Sequence, residues 1–270
     1  MKRILLHVAL ILGAIATAAP MIWMISASFM PTGEATMVPP RFIPSRLTLE
    51  HYRDLFTRLN LGRSFANSTF LALTITLISL LFNSMAGYAF AKMRFGGRDR
   101  LFAALIAALA IPVQISMLPL FLLLKWLGLV NTYWGVIIPG MASILGIFLV
   151  RQFMLSIPQD LLDAARIDGA SELRIYWSIV LPLARPVLVT LALFTFMNMW
   201  NDFMWPLIVL TDSDKYTLPV AIANLVGEHV MDVELMMASA VLTVTPVLVL
   251  FLALQRYYIA GLMAGGVKGG

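Results

Sequence analysis

Few side chains in this 270-residue sequence are equipped for chemistry, and the best placed of them stand in apolar surroundings. Thr195, Asn198, Asp202 and Trp205 follow one another at i, i+3, i+7 and i+10, the spacing of one helical face. They lie in a run from Arg185 to Asp212 that only Asp202 interrupts with charge. An ionisable residue within a membrane span costs roughly 2.5–3.5 kcal/mol on insertion scales, so it normally faces a bundle interior or a wet cavity. Counted from Pro186 at 1.5 Å per residue, Asp202 would stand about 24 Å along the helix, where that cost falls. Two readings are open for the four residues: a pore-lining or gating stripe, or hydrogen bonds between helices near the rim. Trp200 and Trp205 equally fit the aromatic belt of a membrane interface. No catalytic set accompanies them. The apolar runs hold neither paired carboxylates nor a His–Glu metal pair, and His7, His51 and His229 share no metal-ligand spacing. The absence of cysteine excludes thiolate zinc sites and Cys nucleophiles. A phosphate-binding Gly-x-x-x-x-Gly-Lys-Ser/Thr loop is also missing; Gly265-Gly266-Val267-Lys268 approaches it only in composition. The sequence therefore predicts no catalytic residue, no metal site and no cofactor bound by this chain.

The elements that must hold these residues follow from composition. Hydrophobic residues make up 60% of the chain and charged ones 12%, whereas a soluble domain carries about 25% charge. About 20 apolar residues cross a bilayer. The gaps between charges supply six such runs, about 4–29, 64–91, 101–124, 126–150, 186–211 and 235–255. The expected fold is an all-α membrane protein with six transmembrane helices forming one domain over 1–270. Lys2-Arg3 and Thr17-Ala18-Ala19 give the first run some look of a signal peptide. It continues, however, to Trp23, Ile25 and Phe29, so an uncleaved span is expected. Pro112, Pro119 and Pro139 are expected to kink their spans. Asn67, Ser68, Asn83, Ser84, Gln114 and Ser116 read as hydrogen-bonding glue between helices. Lys and Arg divide twelve to seven between the two sides, with the termini on the richer side. The positive-inside bias thus places both termini in the cytoplasm. The net charge of +5 is then topology, and nucleic acid is not an expected partner.

Two connections are too long for turns. In the outer segment from Met30 to Arg63, Pro31, Pro39, Pro40 and Pro44 impose an extended path. After Thr48, a candidate N-cap, Leu49, Tyr52, Leu55, Phe56 and Leu59 predict a short amphipathic helix packed on the span tops. The cytoplasmic loop 151–185 is richer. Leu161, Leu162 and Ala165 form an apolar patch on a helix whose other face carries Asp160, Asp163 and Arg166. Gly169 supplies the left-handed residue that ends a helix, and Ser171 can cap a second one bearing Leu173, Tyr176, Trp177 and Val180. Pro182 and Pro186 close it. A helix–Gly–helix elbow kept thin by Ala164, Ala165 and Ala170 reads as a docking element for another protein.

At these residues the chain resembles a family. The run DAARIDGASELRIYWSIVLPLARP, residues 163–186, looks like the EAA loop of permease subunits in bacterial ABC importers, with Asp163 where the family usually has Glu. The tail QRYYIAGLMAGGVKGG (255–270), PSRLTLEHYRDLF (44–56) and WNDFMWPL (200–207) are similar to the maltose-type group of carbohydrate permeases. The resemblance implies the type I importer permease architecture in the bacterial inner membrane. It implies one half of a sugar pathway, paired with a second permease subunit as a heterodimer. Two cytoplasmic ATPase subunits would carry ATP and Mg, and an extracytoplasmic solute-binding protein would deliver a sugar or oligosaccharide. Asp163, Ala164, Ala165, Asp168, Gly169 and Ala170 would then form the helix that couples to an ATPase. Arg256, Gly261, Gly265 and Gly266, in a cytoplasmic tail 256–270, would reach the ATPase dimer. On the residues alone a second class stays open, an ion-coupled secondary transporter with Asp202 as coupling carboxylate. The lack of a repeat between halves and the off-centre Asp202 count against it.

Overall fold

The computed structural model describes residues 2–39, 41–57, 60–228 and 232–266, without the side chains of residues 2, 225–228, 254 and 256–266. Among the described residues the regular structure is helical. It comprises α1 (Lys2–Ala27), α2 (Glu50–Thr57), α3 (Leu61–Lys92), α4 (Arg98–Ala108), α5 (Val113–Trp126), α6 (Trp134–Gly140), α7 (Ile144–Leu155), α8 (Gln159–Ile167), α9 (Glu172–Ile175), α10 (Leu181–Leu183), α11 (Arg185–Trp200), α12 (Met204–Val209), α13 (Leu218–Glu228) and α14 (Val233–Gly266). Among the described residues four segments are long and apolar enough to cross a membrane: Arg3–Ala27, Leu61–Lys92, Trp134–Leu155 and Val233–Ala253. Two bent helix pairs, Arg98–Ala108 with Val113–Trp126 and Glu172–Leu183 with Arg185–Trp200, bring the number to six if each pair is one span.

The first of these bends, and a separate break after α11, correct the expected continuity of two spans. Between 101 and 124 the chain folds through 103° where α4 meets α5, far more than a kink. Leu109, Ala110 and Ile111 donate to carbonyls three residues back, tightening the end of α4, and Pro112 then starts α5 from an extended conformation. Proline has no N–H to continue the ladder and biases the residue before it away from helix. Between 186 and 211 helix α11 stops at Trp200, and Asp202 and Phe203 lie in a break before α12. Pro206 explains it, since it has no N–H for the Asp202 carbonyl and its ring would crowd that oxygen. Thr195 to Trp205 is consequently not one helical face. Helix α14 also runs past 255 as backbone to Gly266. The side chain of Arg256 and residues 267–270 lie outside the described ones, as does His229.

The chain divides into two compact units, Met1–Phe65 with Leu218–Leu248, and Ala66–Thr217 with Val249–Gly270. In the first, a polar knot organises the segment before α2. The Glu34 carboxylate accepts from the Ser45 amide and hydroxyl, both at 3.0 Å, and from Arg41 at 3.2 Å. The Ala35 amide donates to the buried Glu234 carboxylate at 2.7 Å. Thr48 Oγ1 accepts from the Glu50 amide as a local cap. Helix α2 turns His51 and Leu55 inward, and the His51 ring bonds the Met30 carbonyl at 2.8 Å. Leu49 and Phe56 are exposed, so the inner face differs from the expected one, and Leu59 lies outside the described residues.

The second unit holds two apolar clusters. One joins Leu71 and Ile75 of α3, Leu124 of α5, Val136 and Ile137 of α6, and Trp205 and Val209 of α12. The other joins Tyr88 of α3, Val150 and Met154 of α7, and Leu162, Ile175, Tyr176 and Val180 of the 156–186 loop. Buried amides stitch the helices together, as apolar surroundings require. Asn83 donates to Ser79 Oγ at 2.7 Å and accepts from the Ser143 amide at 3.0 Å. Asn67 donates to the carbonyls of Asp214 and Tyr216 and accepts from Tyr133. The Ser84 hydroxyl meets that of Tyr176 at 2.6 Å. Gln114 and Ser116 are exposed and make no such link among the described contacts.

Candidate functional site

The loop after α7 is built as a rigid elbow. Lys92, the last residue of α3, donates to the Ile157 carbonyl at 2.6 Å, and α8 starts after Pro158. It ends in the double bond of a Schellman cap, with the Gly169 amide donating to Arg166 O and the Ala170 amide to Ala165 O, both at 3.0 Å. Gly169 sits at φ +84°, the left-handed region that glycine takes without penalty. Ser171 Oγ accepts from the Arg174 amide and starts α9. A π-helical turn, Tyr176–Val180, then leads through α10 to a 78° bend into α11.

Each short helix is divided between core and solvent. Leu162, Ile175, Tyr176 and Val180 are buried, with Ala165 and Ala170 packed against them. Leu161, Leu173 and Trp177 are exposed, and Ile167 is 87% exposed. The expected patches of Leu161 with Leu162, and of Tyr176 with Trp177, are therefore split, because adjacent residues on a helix point about 100° apart. Asp163, Ala164, Asp168 and Gly169 stand on the exposed side. The structure thus brings the six elbow residues together as one turn with an acidic and apolar outer surface.

A charge network fixes this turn, and the sequence reading missed half of it. Arg166 bonds Asp163 within α8 and reaches across Gly169 to Glu172, Nε to Oε1, at 2.7 Å. The Tyr88 hydroxyl of α3 donates to Glu172 Oε2 at 2.6 Å. The Asp163–Arg166 pair is legible at i, i+3, but nothing in the sequence couples Tyr88 to Glu172. Hydrogen bonds from Gln159 and then Arg166 hold the Asp163 carboxyl below its ordinary range, while bonding to Glu172 holds the Arg166 guanidinium above its own. The Asp163 contribution is therefore present above the ordinary carboxylate pKa and is lost as pH falls through the lowered one. Glu172→Ala is expected to loosen the elbow. The pair is partly exposed, so the loss is about 1 kcal/mol, read as a severalfold faster amide exchange over 160–171. Unchanged exchange would mean that apolar packing alone holds the turn.

The four candidates at the other site are only partly gathered. Asp202 Oδ1 accepts from the Trp205 amide at 3.4 Å, and Trp205 Nε1 donates to the Gly135 carbonyl at 3.1 Å. Both line a mostly apolar cavity of about 280 Å3 with Ser116, Met117, Val136 and Met199. Thr195 is half-buried and Asn198 exposed on α11, and neither is among the described lining residues. Pro206 was the available clue that the face would break. Arg256, Gly261, Gly265 and Gly266 follow one another on the last turns of α14, and their side chains lie outside the described ones.

The sequence profile of a family described as binding-protein-dependent transport system inner membrane component matches residues 83–263, from Asn83 through the elbow, the α11 break and most of α14. The arabinooligosaccharides transport system permease protein AraQ of Halalkalibacterium halodurans is 43% identical over 93% of this chain and 91% of its own length. The diacetylchitobiose uptake system permease protein NgcG of Streptomyces coelicolor is 34% identical over 96% and 87%. Among solved structures, a bacterial ABC transporter involved in the import of the acidic polysaccharide alginate contains a chain with 27% identity and a TM-score of 0.83, covering 95% of this chain and 96% of that one.

Proposed function

The chain belongs to the family of binding-protein-dependent transport system inner membrane components, and from that membership we propose that its 160–171 elbow is the seat of a cytoplasmic ATPase. The chain is a permease subunit of a carbohydrate ABC importer, a multi-pass protein of the bacterial inner membrane. The ion-coupled alternative built on Asp202 is thereby overturned, because relatives matching over nine-tenths of the chain are permeases of saccharide uptake systems.

The observation that carries the coupling assignment is the split elbow: one face locked into the fold, the other presenting Ile167, Leu161 and Leu173 beside Asp163 and Asp168. A rigid turn with exposed apolar side chains transmits force to the spans only if a partner grips it. The partner must also hold its two conformations with different free energy, since contacts equal in both shift nothing. In the proposed cycle two ATPase subunits bind ATP and Mg, close, and move the elbows of this chain and of a second permease subunit. The spans then alternate between inward-open and outward-open. A solute-binding protein delivers a sugar or oligosaccharide on the opposite side. Both termini lie in the cytoplasm, where Arg256, Gly261, Gly265 and Gly266 reach the ATPase pair. Of the expected stripe, Asp202 and Trp205, which line one cavity, border the solute path, while Thr195 and Asn198 stand apart from that cavity on α11. This chain contributes no catalytic residue.

The assembly is tested by purifying the tagged chain from its native membrane in mild detergent and identifying its companions by mass spectrometry. A second permease and a P-loop ATPase are expected. A chain recovered alone, and still able to move saccharide in liposomes, would contradict the proposal.

A further inference from the structure

The connection between α3 and α4 carries a basic pocket to which the proposed cycle assigns no role. Arg94, Arg98 and Arg100 surround an open pocket of about 600 Å3 whose remaining walls are Phe95, Gly97 and Asp99. Asp99 pairs with Arg98 at 2.9 Å, and a second Arg98 nitrogen holds the Met93 carbonyl at 3.2 Å. One carboxylate against three guanidinium groups leaves the pocket two positive charges in excess. Its place is as informative as its charge. Helix α3 ends at Lys92 and α4 begins at Arg98, both ends of membrane-crossing segments. Helix α4 buries none of its residues, and Phe95 and Leu101 are exposed beside the arginines. The helix is nonetheless held firmly, because the Arg151 guanidinium lies 4.0 Å over the Phe102 ring, which stacks on Phe148.

We infer that this pocket binds the phosphate of an anionic phospholipid headgroup, with an acyl chain lying along the exposed apolar side of α4. Guanidinium forks match phosphate oxygens bidentately, and basic pockets between membrane helices take anionic headgroups. A free phosphate would satisfy the charge and leave Phe95 and Leu101 uncovered, whereas a diacyl phospholipid satisfies both. Arg94 also lines the neighbouring pocket that holds Asp163, Arg166 and Glu172. The headgroup therefore sits one side chain from the elbow. This inference is independent of what the elbow binds.

The test is native mass spectrometry of the purified importer titrated with phosphatidylglycerol or phosphatidylcholine. The intact protein should retain phosphatidylglycerol in preference to phosphatidylcholine. A basic side chain near the membrane surface contributes about a fivefold gain in affinity. Arg100→Gln should then lose about fivefold, and Arg94→Gln/Arg98→Gln/Arg100→Gln roughly 100-fold, with phosphatidylcholine unaffected. The triple lysine variant keeps the charge and loses the bidentate fork, so its preference should fall between those of the intact protein and the triple glutamine variant, which separates binding from any assembly defect of the latter. Equal retention of both lipids by the intact protein would overturn the site, as would unchanged phosphatidylglycerol binding in Arg100→Gln. Displacement of the lipid by millimolar inorganic phosphate would overturn the lipid assignment in favour of a free anion.

Discussion

Gly169→Pro is expected to lower ATP-driven saccharide uptake roughly 100-fold while leaving the chain inserted in the membrane. Three features of the turn oppose proline at once. Gly169 has φ +84°, and proline is fixed near −65°. Its amide donates to the Arg166 carbonyl, a bond proline cannot make. Asp168 before it has φ −72° and ψ 3°, a conformation that a following proline disfavours. Together these cost about 3 kcal/mol or more within the elbow, and at 1.4 kcal/mol per tenfold that removes the docking-competent turn from all but about one molecule in a hundred. The spans are untouched, because the elbow lies between α7 and α11. A Cβ at position 169 would meet nothing within 4 Å. Gly169→Asn, which tolerates the left-handed region, should accordingly keep most activity. Uptake in inverted and right-side-out vesicles, normalised to inserted chain, reads the difference. Normal uptake by the proline variant would remove the elbow from the coupling path.

Gly146→Leu should produce the largest loss of stability. An added Cβ at Gly146 would fall 2.5 Å from Asn83 Nδ2 and 2.6 Å from Ser143 Oγ. The substitution therefore does three things at one point of contact. It overpacks the α3–α7 interface, for about 1–3 kcal/mol. It pushes aside the fully buried Asn83, which bonds Ser79 and the Ser143 amide, at about 1–3 kcal/mol for an unsatisfied amide. It also displaces the Ser143 cap that accepts the Gly146 amide, worth about 1 kcal/mol. These are coupled, so the expected total is about 3–5 kcal/mol rather than their sum. Thermal unfolding of the purified importer in detergent should show a sharply lowered midpoint, with Gly146→Ala between the two. A wild-type midpoint for the leucine variant would mean that α3 and α7 do not meet here.

What the sequence made legible, and what it did not, follows from the range of the forces involved. The multi-span helical character was legible in the charge gaps because burying charge in a bilayer is expensive at every position. Gly169 and Ser171 announced the elbow because caps are local. Pro206 stands four residues after Asp202 and was equally local, yet an uninterrupted apolar run concealed it, and the stripe from Thr195 to Trp205 was drawn on a helix that stops at Trp200. Pro112 was read as a kink although the chain turns through 103° there. Which half of the elbow turns inward could not be read. Leu161 and Leu162 are equally apolar, and only the packing of Val150, Met154 and Ile175 around one of them separates the two. The Tyr88–Glu172–Arg166 network joins residues from separate helices and leaves no periodic trace. Arg94, Arg98 and Arg100 were counted as charges that orient the chain, and their convergence on one pocket appears only once α3 and α4 are folded.

The most direct test of the coupling assignment uses the absence of cysteine from the chain. Asp168→Cys places a unique thiol on the exposed tip of the elbow, and Asp212→Cys places one on the exposed turn after α12. Each is labelled with a maleimide photocrosslinker in native membranes and illuminated with and without ATP. The elbow position should give a covalent product with the P-loop ATPase whose yield changes with nucleotide, and the Asp212 position should give none. Absence of that product from Asp168→Cys in an importer that still transports, or an equal yield from both positions, would contradict the coupling role of the elbow.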